Sequence, residues 1–227
     1  MPHPYDAIHF DMDGVIVDTE PTHVRAEIQT CQDSGFVVDE SQWGGFKGRT
    51  AVDIFTHIRE NFDYGGPGSP PKPGELVELK TDVFIDILSA EGVIAIEGVL
   101  EFIEWSRGNF KKRSLVTSSN RRTQRFICQA LGLDVEFDHV VTGNDVSNGK
   151  PHPEPYLLSR SGLGLRANDK SLVVEDSYSG VQSALSAETD VLAIATSHTL
   201  QELRDFQPTP TYIVDSFVHA PAAISHE

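Results

Sequence analysis

Cysteine is scarce in this chain, with only Cys31 and Cys128 among 227 residues. They form no CxxC pair, have no histidines at metal-finger spacing, and fall within helix-like patterns, where a free cysteine packs as a small apolar group. A disulfide-stapled fold is excluded, and a reducing, cytoplasmic compartment is expected. Positive charge is scarce too: 18 Lys and Arg stand against 34 Asp and Glu, a formal net charge of −16. The longest basic runs, Lys111-Lys112-Arg113 and Arg121-Arg122, are too short for general attraction to nucleic acid or to an anionic membrane. No run approaches the ~18 consecutive apolar residues of a membrane helix. Residues 1–10 lack a basic flank followed by an apolar stretch, so no signal peptide is expected. There is no internal repeat.

What is present are short apolar runs that each end in polar residues. Ala7-Ile8-His9-Phe10 precedes Asp11, Leu115-Val116 precedes Thr117-Ser118, Val140-Val141 precedes Thr142, and Leu172-Val173-Val174 precedes Glu175-Asp176. Val191 to Ala195 and Tyr212 to Val214 have the same character. Such runs are the mark of a parallel sheet covered on both faces. Between them lie helix-like stretches at Thr123 to Leu131, Pro153 to Ser161 and Gly180 to Ala187. Alternation of this kind predicts an α/β core with a doubly wound parallel sheet, whose ligands bind beyond the carboxyl ends of the strands. Residues 20–92 differ, with helical patterns at His23 to Gln32, Ala51 to Asn61 and Glu75 to Ser89 and no strand. The expectation is a core made of residues 1–18 and 93–227 and an inserted all-helical domain over 19–92. Within the insert, Gly65 to Gly74 is almost entirely Gly, Pro and Ser and is expected to be a loop.

Four segments carry chemistry. Phe10-Asp11-Met12-Asp13-Gly14 ends a strand in two carboxylates two residues apart, which share a side along an extended chain. Carboxylates so placed repel unless a cation or a shared proton relieves them. An EF-hand loop is excluded, because Val15 and Ile16 stand where an oxygen ligand and the turn glycine are required. Thr117-Ser118-Ser119-Asn120 sets hydroxyls and free N–H groups before a helix, a ready anion site. Gly149-Lys150-Pro151 offers one lysine on a proline-stiffened loop, and Glu175-Asp176 puts two further carboxylates at a strand end. Gly162 to Ala167 satisfies a dinucleotide fingerprint but follows a helix rather than a strand. Gly143 to Lys150 has five residues where a phosphate-binding GxxxxGK has four. The G-x-S-x-G of serine hydrolases is missing.

Taken together, DMDGVIVDTE, TSSN, GKPHPEPY and VVEDSYSGV, in that order around a helical insert, resemble the haloacid dehalogenase superfamily. The likeness is to its capped phosphohydrolases of the phosphoglycolate phosphatase and β-phosphoglucomutase kind. The resemblance implies a Rossmann-like core, a helical cap and Mg²⁺ as cofactor. It makes Asp11 the nucleophile that becomes an aspartyl phosphate. Asp13 becomes the general acid and base, with its carbonyl on the metal. Asp11, Asp176 and Glu175 become metal ligands with Asp13, and Ser118, Ser119 and Lys150 the groups around the transferring phosphoryl. In the cap it points to His23, Lys47, Arg49 and Lys80 as substrate contacts. The expected partner is a small-molecule phosphate ester, with no nucleic acid and no membrane. The oligomeric state is left open, a monomer being sufficient. The expected activity is a Mg²⁺-dependent phosphatase; the alternative is phosphoryl transfer within a sugar phosphate, as in a β-phosphoglucomutase. For the latter this chain has Ala51 where an arginine is expected, with Arg49 two residues earlier. Asp13 disfavours carbon–halogen cleavage, which has no leaving oxygen to protonate. A non-catalytic phosphate-binding relative is disfavoured because no catalytic residue is lost.

Overall fold

The computed structural model describes residues 4–46 and 50–225. Lys47 and Arg49 therefore lie outside the described residues. Six strands form one all-parallel sheet: β1 (Ala7–Phe10), β2 (Lys112–Val116), β3 (His139–Val141), β4 (Ser171–Glu175), β5 (Asp190–Ile194) and β6 (Tyr212–Val214). Their order is β3-β2-β1-β4-β5-β6. The chain thus starts in the middle, works outward to β3, then crosses to β4 on the other side of β1. That reversal opens a crevice at the carboxyl ends of β1, β2 and β4. In chain order the helices are α1 (Glu20–Ser34), α2 (Ala51–Asn61), α3 (Pro73–Glu91), α4 (Val99–Asn109), α5 (Arg121–Leu131), α6 (Glu154–Gly162), α7 (Tyr178–Ser186), α8 (Leu200–Asp205) and α9 (Ala220–Ile224). None is long and apolar enough to cross a membrane.

The central strand shows why its sequence is apolar throughout. Successive side chains of β1 point to opposite faces. Phe10 packs edge-on against Phe102 of α4, with ring centroids 5.9 Å apart. On the other face His9 meets α6, where its Nδ1 lies 2.9 Å from the Ser159 hydroxyl and 2.7 Å from that of Ser114 on β2. On this second face Val116, Val141, Tyr156, Val173, Val181, Ala184, Val191 and Leu203 close the core under α6, α7 and α8.

The chain divides into two compact units, Met1–Asp18 with Val93–Glu227 and, inserted between them, Thr19–Gly92. The inserted unit has its own core of Cys31, Phe36, Trp43, Phe46, Ile54, Phe55, Ile58 and Leu76. Two of the boundaries that differ from expectation do so for clear local reasons. β2 begins at Lys112, because pairing with β1 carries the ladder past the apolar residues to its exposed polar end. α3 begins at Pro73, so Gly74 belongs to a helix: proline is pre-organised at the first helical position, and Glu75 reaches back to the amide of Lys72 at 2.8 Å. α4 was not expected at all, although Val99, Phe102, Ile103 and Ser106 bury one face at helical spacing.

Candidate active site

Register assembles the first part of the site. Phe10 lies opposite Leu115 on one side and Val174 on the other. The next residue, Asp11, therefore arrives level with Val116 and Glu175. The loop after β3 brings Lys150 to the same level, and its Nζ donates to Asp11 Oδ1 at 2.6 Å, Glu175 Oε1 at 2.7 Å and the Val116 carbonyl at 3.2 Å. An ammonium has three N–H bonds, and all are used. The lysine loop is itself pinned. Glu154, in the first turn of α6, accepts from the amides of Ser147 and Asn148 at 2.7 and 3.1 Å. Ser183 of α7 donates to the His152 carbonyl at 2.6 Å.

Glu175 is fully buried, and both of its oxygens accept hydrogen bonds. Its Oε1 also accepts from the Tyr156 hydroxyl at 2.8 Å. Its Oε2 accepts from the amides of Asp176 and Ser177 and from the Ser177 hydroxyl, at 3.1, 3.2 and 3.0 Å. Gly180 leaves room for this carboxylate, since a Cβ there would sit 1.8 Å from Oε1.

Asp13 is presented by a tight turn after β1, in which the amides of Val15, Ile16 and Val17 all point to the Met12 carbonyl. Met12, Val15, Ile16 and Val17 are buried and anchor the turn. Asp13 Oδ2 accepts from the Ser119 hydroxyl at 2.9 Å and from that of Thr117 at 3.3 Å. Gly14 closes the turn at φ +85°, and a Cβ on it would lie 2.0 Å from Asp176 Oδ2. That oxygen accepts from the Ser197 hydroxyl, and His198 Nδ1 donates to the Asp176 carbonyl at 3.0 Å.

Asp11, Glu175 and Asp176 each offer an oxygen, all within 4.8 Å of one another. One ammonium does not offset this charge. Burial, with Glu175, Asp176 and Asp13 adding to it, lifts Asp11 well above the usual carboxylate range despite Lys150. Burial and Glu175 push Asp176 up to about 7, against the pull of the Ser197 hydrogen bond. Burial opposes the charge on Lys150 as well, but Asp11 and Glu175 hold it protonated, well above a normal lysine. Among the described residues, Asp176 Oδ1 is buried without a hydrogen-bond partner. Hard oxygens, excess negative charge and an orphaned carboxylate oxygen fit a hard divalent cation, so this cluster can hold a metal.

Asp11, Lys150, Glu175 and Asp176 thus meet at one place, with Asp13 beside the loop that follows β2. The Asp13 carboxylate is not a member of the three-carboxylate group. Within the TSSN segment the structure buries Thr117 and exposes Ser118, and it is Thr117 and Ser119 whose hydroxyls reach Asp13. In the inserted unit Lys80 Nζ donates to His23 Nδ1 at 2.6 Å, and the His23 ring stacks on Phe84 at 4.2 Å. Sequence reasoning assigned no role to Tyr156, Ser177, Ser197 or His198. The last two follow an apolar strand run, the same signal that located Asp11, Thr117 and Glu175.

The family model of haloacid dehalogenase-like hydrolases matches residues 8–194. A phosphorylated carbohydrates phosphatase of Thermotoga maritima is 32% identical over 182 residues, 80% of this chain and 81% of that protein. Hexitol phosphatase A of Escherichia coli is 29% identical over 185 residues, 82% of this chain and 81% of its own. Among solved structures, CbbY from Rhodobacter sphaeroides in complex with phosphate has a TM-score of 0.80 at 24% identity, covering 94% of this chain and 95% of that one. That last likeness is one of fold.

Proposed function

The chain belongs to the haloacid dehalogenase-like hydrolases, and on that footing we propose that it is a Mg²⁺-dependent phosphatase of small phosphorylated metabolites, sugar phosphates foremost. The observation that carries this is Asp11, held by Lys150 at 2.6 Å and level with Glu175 and Asp176, with Asp13 two residues further on. The names of the Thermotoga and Escherichia relatives support the substrate class. Asp11, Asp176, the Asp13 carbonyl and Glu175, the last directly or through water, are the groups that would hold the cation. When bound, the cation supplies charge neutralisation between the carboxylates and the phosphoryl oxygens.

The chain's own residues do the rest. Asp11 attacks phosphorus through a carboxylate oxygen and becomes an aspartyl phosphate, which divides one displacement into two. Lys150 neutralises Asp11 and the equatorial oxygens that gather charge. Asp13 gives its proton to the leaving oxygen and takes one from the attacking water in the second step; the Ser119 and Thr117 hydroxyls on its Oδ2 orient it. Ser118, exposed on the same loop, receives a remaining phosphoryl oxygen through its hydroxyl, while the Ser119 amide donates to Thr117 Oγ1 at 3.0 Å. Thr19–Gly92 acts as a cap that excludes water during the first step and selects the leaving group, through His23, Lys47, Arg49 and Lys80. Two buried free thiols, Cys31 and Cys128, suit a reducing cytoplasmic setting.

The test is Mg²⁺-dependent phosphate release across a panel of sugar, polyol and short-chain acid phosphates. Wild type is expected to turn over at least one of them and Asp11→Asn none. Equal behaviour of the two proteins across the panel would sink the reading. Conversion of a sugar 1-phosphate to its 6-phosphate without free phosphate would replace it by the mutase reaction.

A further inference from the structure

Three consecutive residues between β5 and α8 bind three different atoms of the carboxylate edge. Thr196 Oγ1 donates to the Gly14 carbonyl at 2.5 Å, Ser197 Oγ to Asp176 Oδ2, and His198 Nδ1 to the Asp176 carbonyl at 3.0 Å. The loop supplies no carboxylate to the cluster, and the family match ends at residue 194, just before it.

The two oxygens of Asp176 are unequal as a result. Oδ2 is tied to Ser197 and rests on the bare Cα of Gly14. Oδ1 is buried with no partner among the described residues, an arrangement that costs free energy unless something occupies that oxygen. A part-turn about Cβ–Cγ would swing the unpartnered oxygen away from the cluster, and the Ser197 hydrogen bond, with the whole carboxylate lying over Gly14, opposes that turn. We infer that Ser197 is a positioning residue for the divalent cation: its hydroxyl fixes the Asp176 carboxylate so that Oδ1 is the oxygen offered, while Thr196 and His198 anchor the loop on either side. The inference rests on the Mg²⁺ reading above. Partners that orient a metal ligand typically govern about ten- to a hundredfold in metal affinity, and a single rim hydroxyl belongs at the lower end.

The experiment compares full-length wild type, Ser197→Ala, Ser197→Thr and Thr196→Val. Two Mg²⁺ titrations are read: the shift in thermal unfolding without substrate, and the rate of phosphate release. Ser197→Ala is expected to raise both Mg²⁺ midpoints by about tenfold, with the rate lost at low Mg²⁺ recovered by excess Mg²⁺. Ser197→Thr keeps a hydroxyl and is expected to restore the midpoints. Thr196→Val loosens the loop without touching Asp176 and is expected to shift them the same way by a smaller factor. It provides the measurement if Ser197→Ala does not fold. Midpoints unchanged in the variants, or a rate loss in Ser197→Ala that excess Mg²⁺ does not recover, overturn the inference while leaving a Mg²⁺-responsive wild type intact. A wild type that responds to Mg²⁺ in neither titration removes the Mg²⁺ reading itself.

Discussion

At the scale of single residues, the chemistry rests on contacts that ordinary substitution rules misjudge. Alanine normally gains about 1 kcal/mol over glycine inside a helix. At Gly180, in α7, the sign reverses, because the new Cβ would occupy the place of Glu175 Oε1. Gly180→Ala is expected to lose about 1–3 kcal/mol in urea denaturation and to lose activity as Glu175 is pushed off Lys150 and Tyr156. Removing the ammonium is worse. Lys150→Met leaves Asp11 and Glu175 buried and unpaired, with an expected loss of about 3–5 kcal/mol in metal-free buffer, read by the same denaturation, and no turnover. Asp176 carries a pH signature. Its folded value of about 7 lies above its ordinary 3.8, so metal-free stability is highest below pH 3.8 on its account and falls as pH rises toward 7. Asp176→Asn is expected to flatten that fall, measured between pH 4.5 and 7 in a chelator, by roughly 2–4 kcal/mol, and to abolish the Mg²⁺-induced shift. Asp11, Asp13, Glu175 and Asp176 were legible in the sequence because polar residues after apolar runs mark strand ends, and Lys150 only through the motif order that carries the family resemblance. Tyr156 was not: its hydroxyl reaches Glu175 from α6, and no spacing rule links positions 156 and 175.

At the scale of elements, β1, β2 and α6 share a buried polar seam. His9 bonds through Nδ1 to Ser114 and Ser159, which also bond to each other at 2.7 Å. Burial, with Arg160 and His139 adding to it, lowers His9 from 6.5 to about 3. The unfolded chain binds that proton first, so the seam's contribution is complete above pH 6.5 and is lost as pH falls toward 3. His9→Leu leaves the two serines paired, and its unfolding free energy is expected to decline less steeply than that of wild type between pH 6.5 and 4. Element existence was legible for every strand, since a sheet covered on both faces demands apolar runs. Boundaries were less so. The polar start of β2 follows from its pairing with β1, and the first turn of α3 from the reach of Glu75 to Lys72, neither of which is a property of composition.

At the scale of the whole molecule, the insert leaves and re-enters the core at one place. Val17 bridges Ala95, and the Ile96 amide donates to the Ile16 carbonyl at 2.9 Å. Replacing residues 19–92 by a short Gly-Ser linker is therefore expected to leave a core that melts cooperatively and still hydrolyses a generic aryl phosphate, but no longer discriminates among sugar phosphates. Circular dichroism melts and the substrate panel check this. The formal charge of −16 works against general attraction to polyanions, yet four of its carboxylates stand where an anionic phosphate is proposed to bind, which a bound cation makes workable. By itself the sequence determined the alternating α/β core, the helical insert and the residue types at the strand ends. Those follow from local periodicity and from which side chains water will accept. The tertiary structure alone decided which oxygen each carboxylate presents. It set Lys150 between Asp11 and Glu175, gave Thr117 and Ser119 to Asp13, and left Asp176 Oδ1 unpartnered. Such choices depend on sheet register and on loops brought together from separate parts of the chain, 139 positions apart for Lys150 and Asp11 and 25 for Lys150 and Glu175, and no local pattern encodes them.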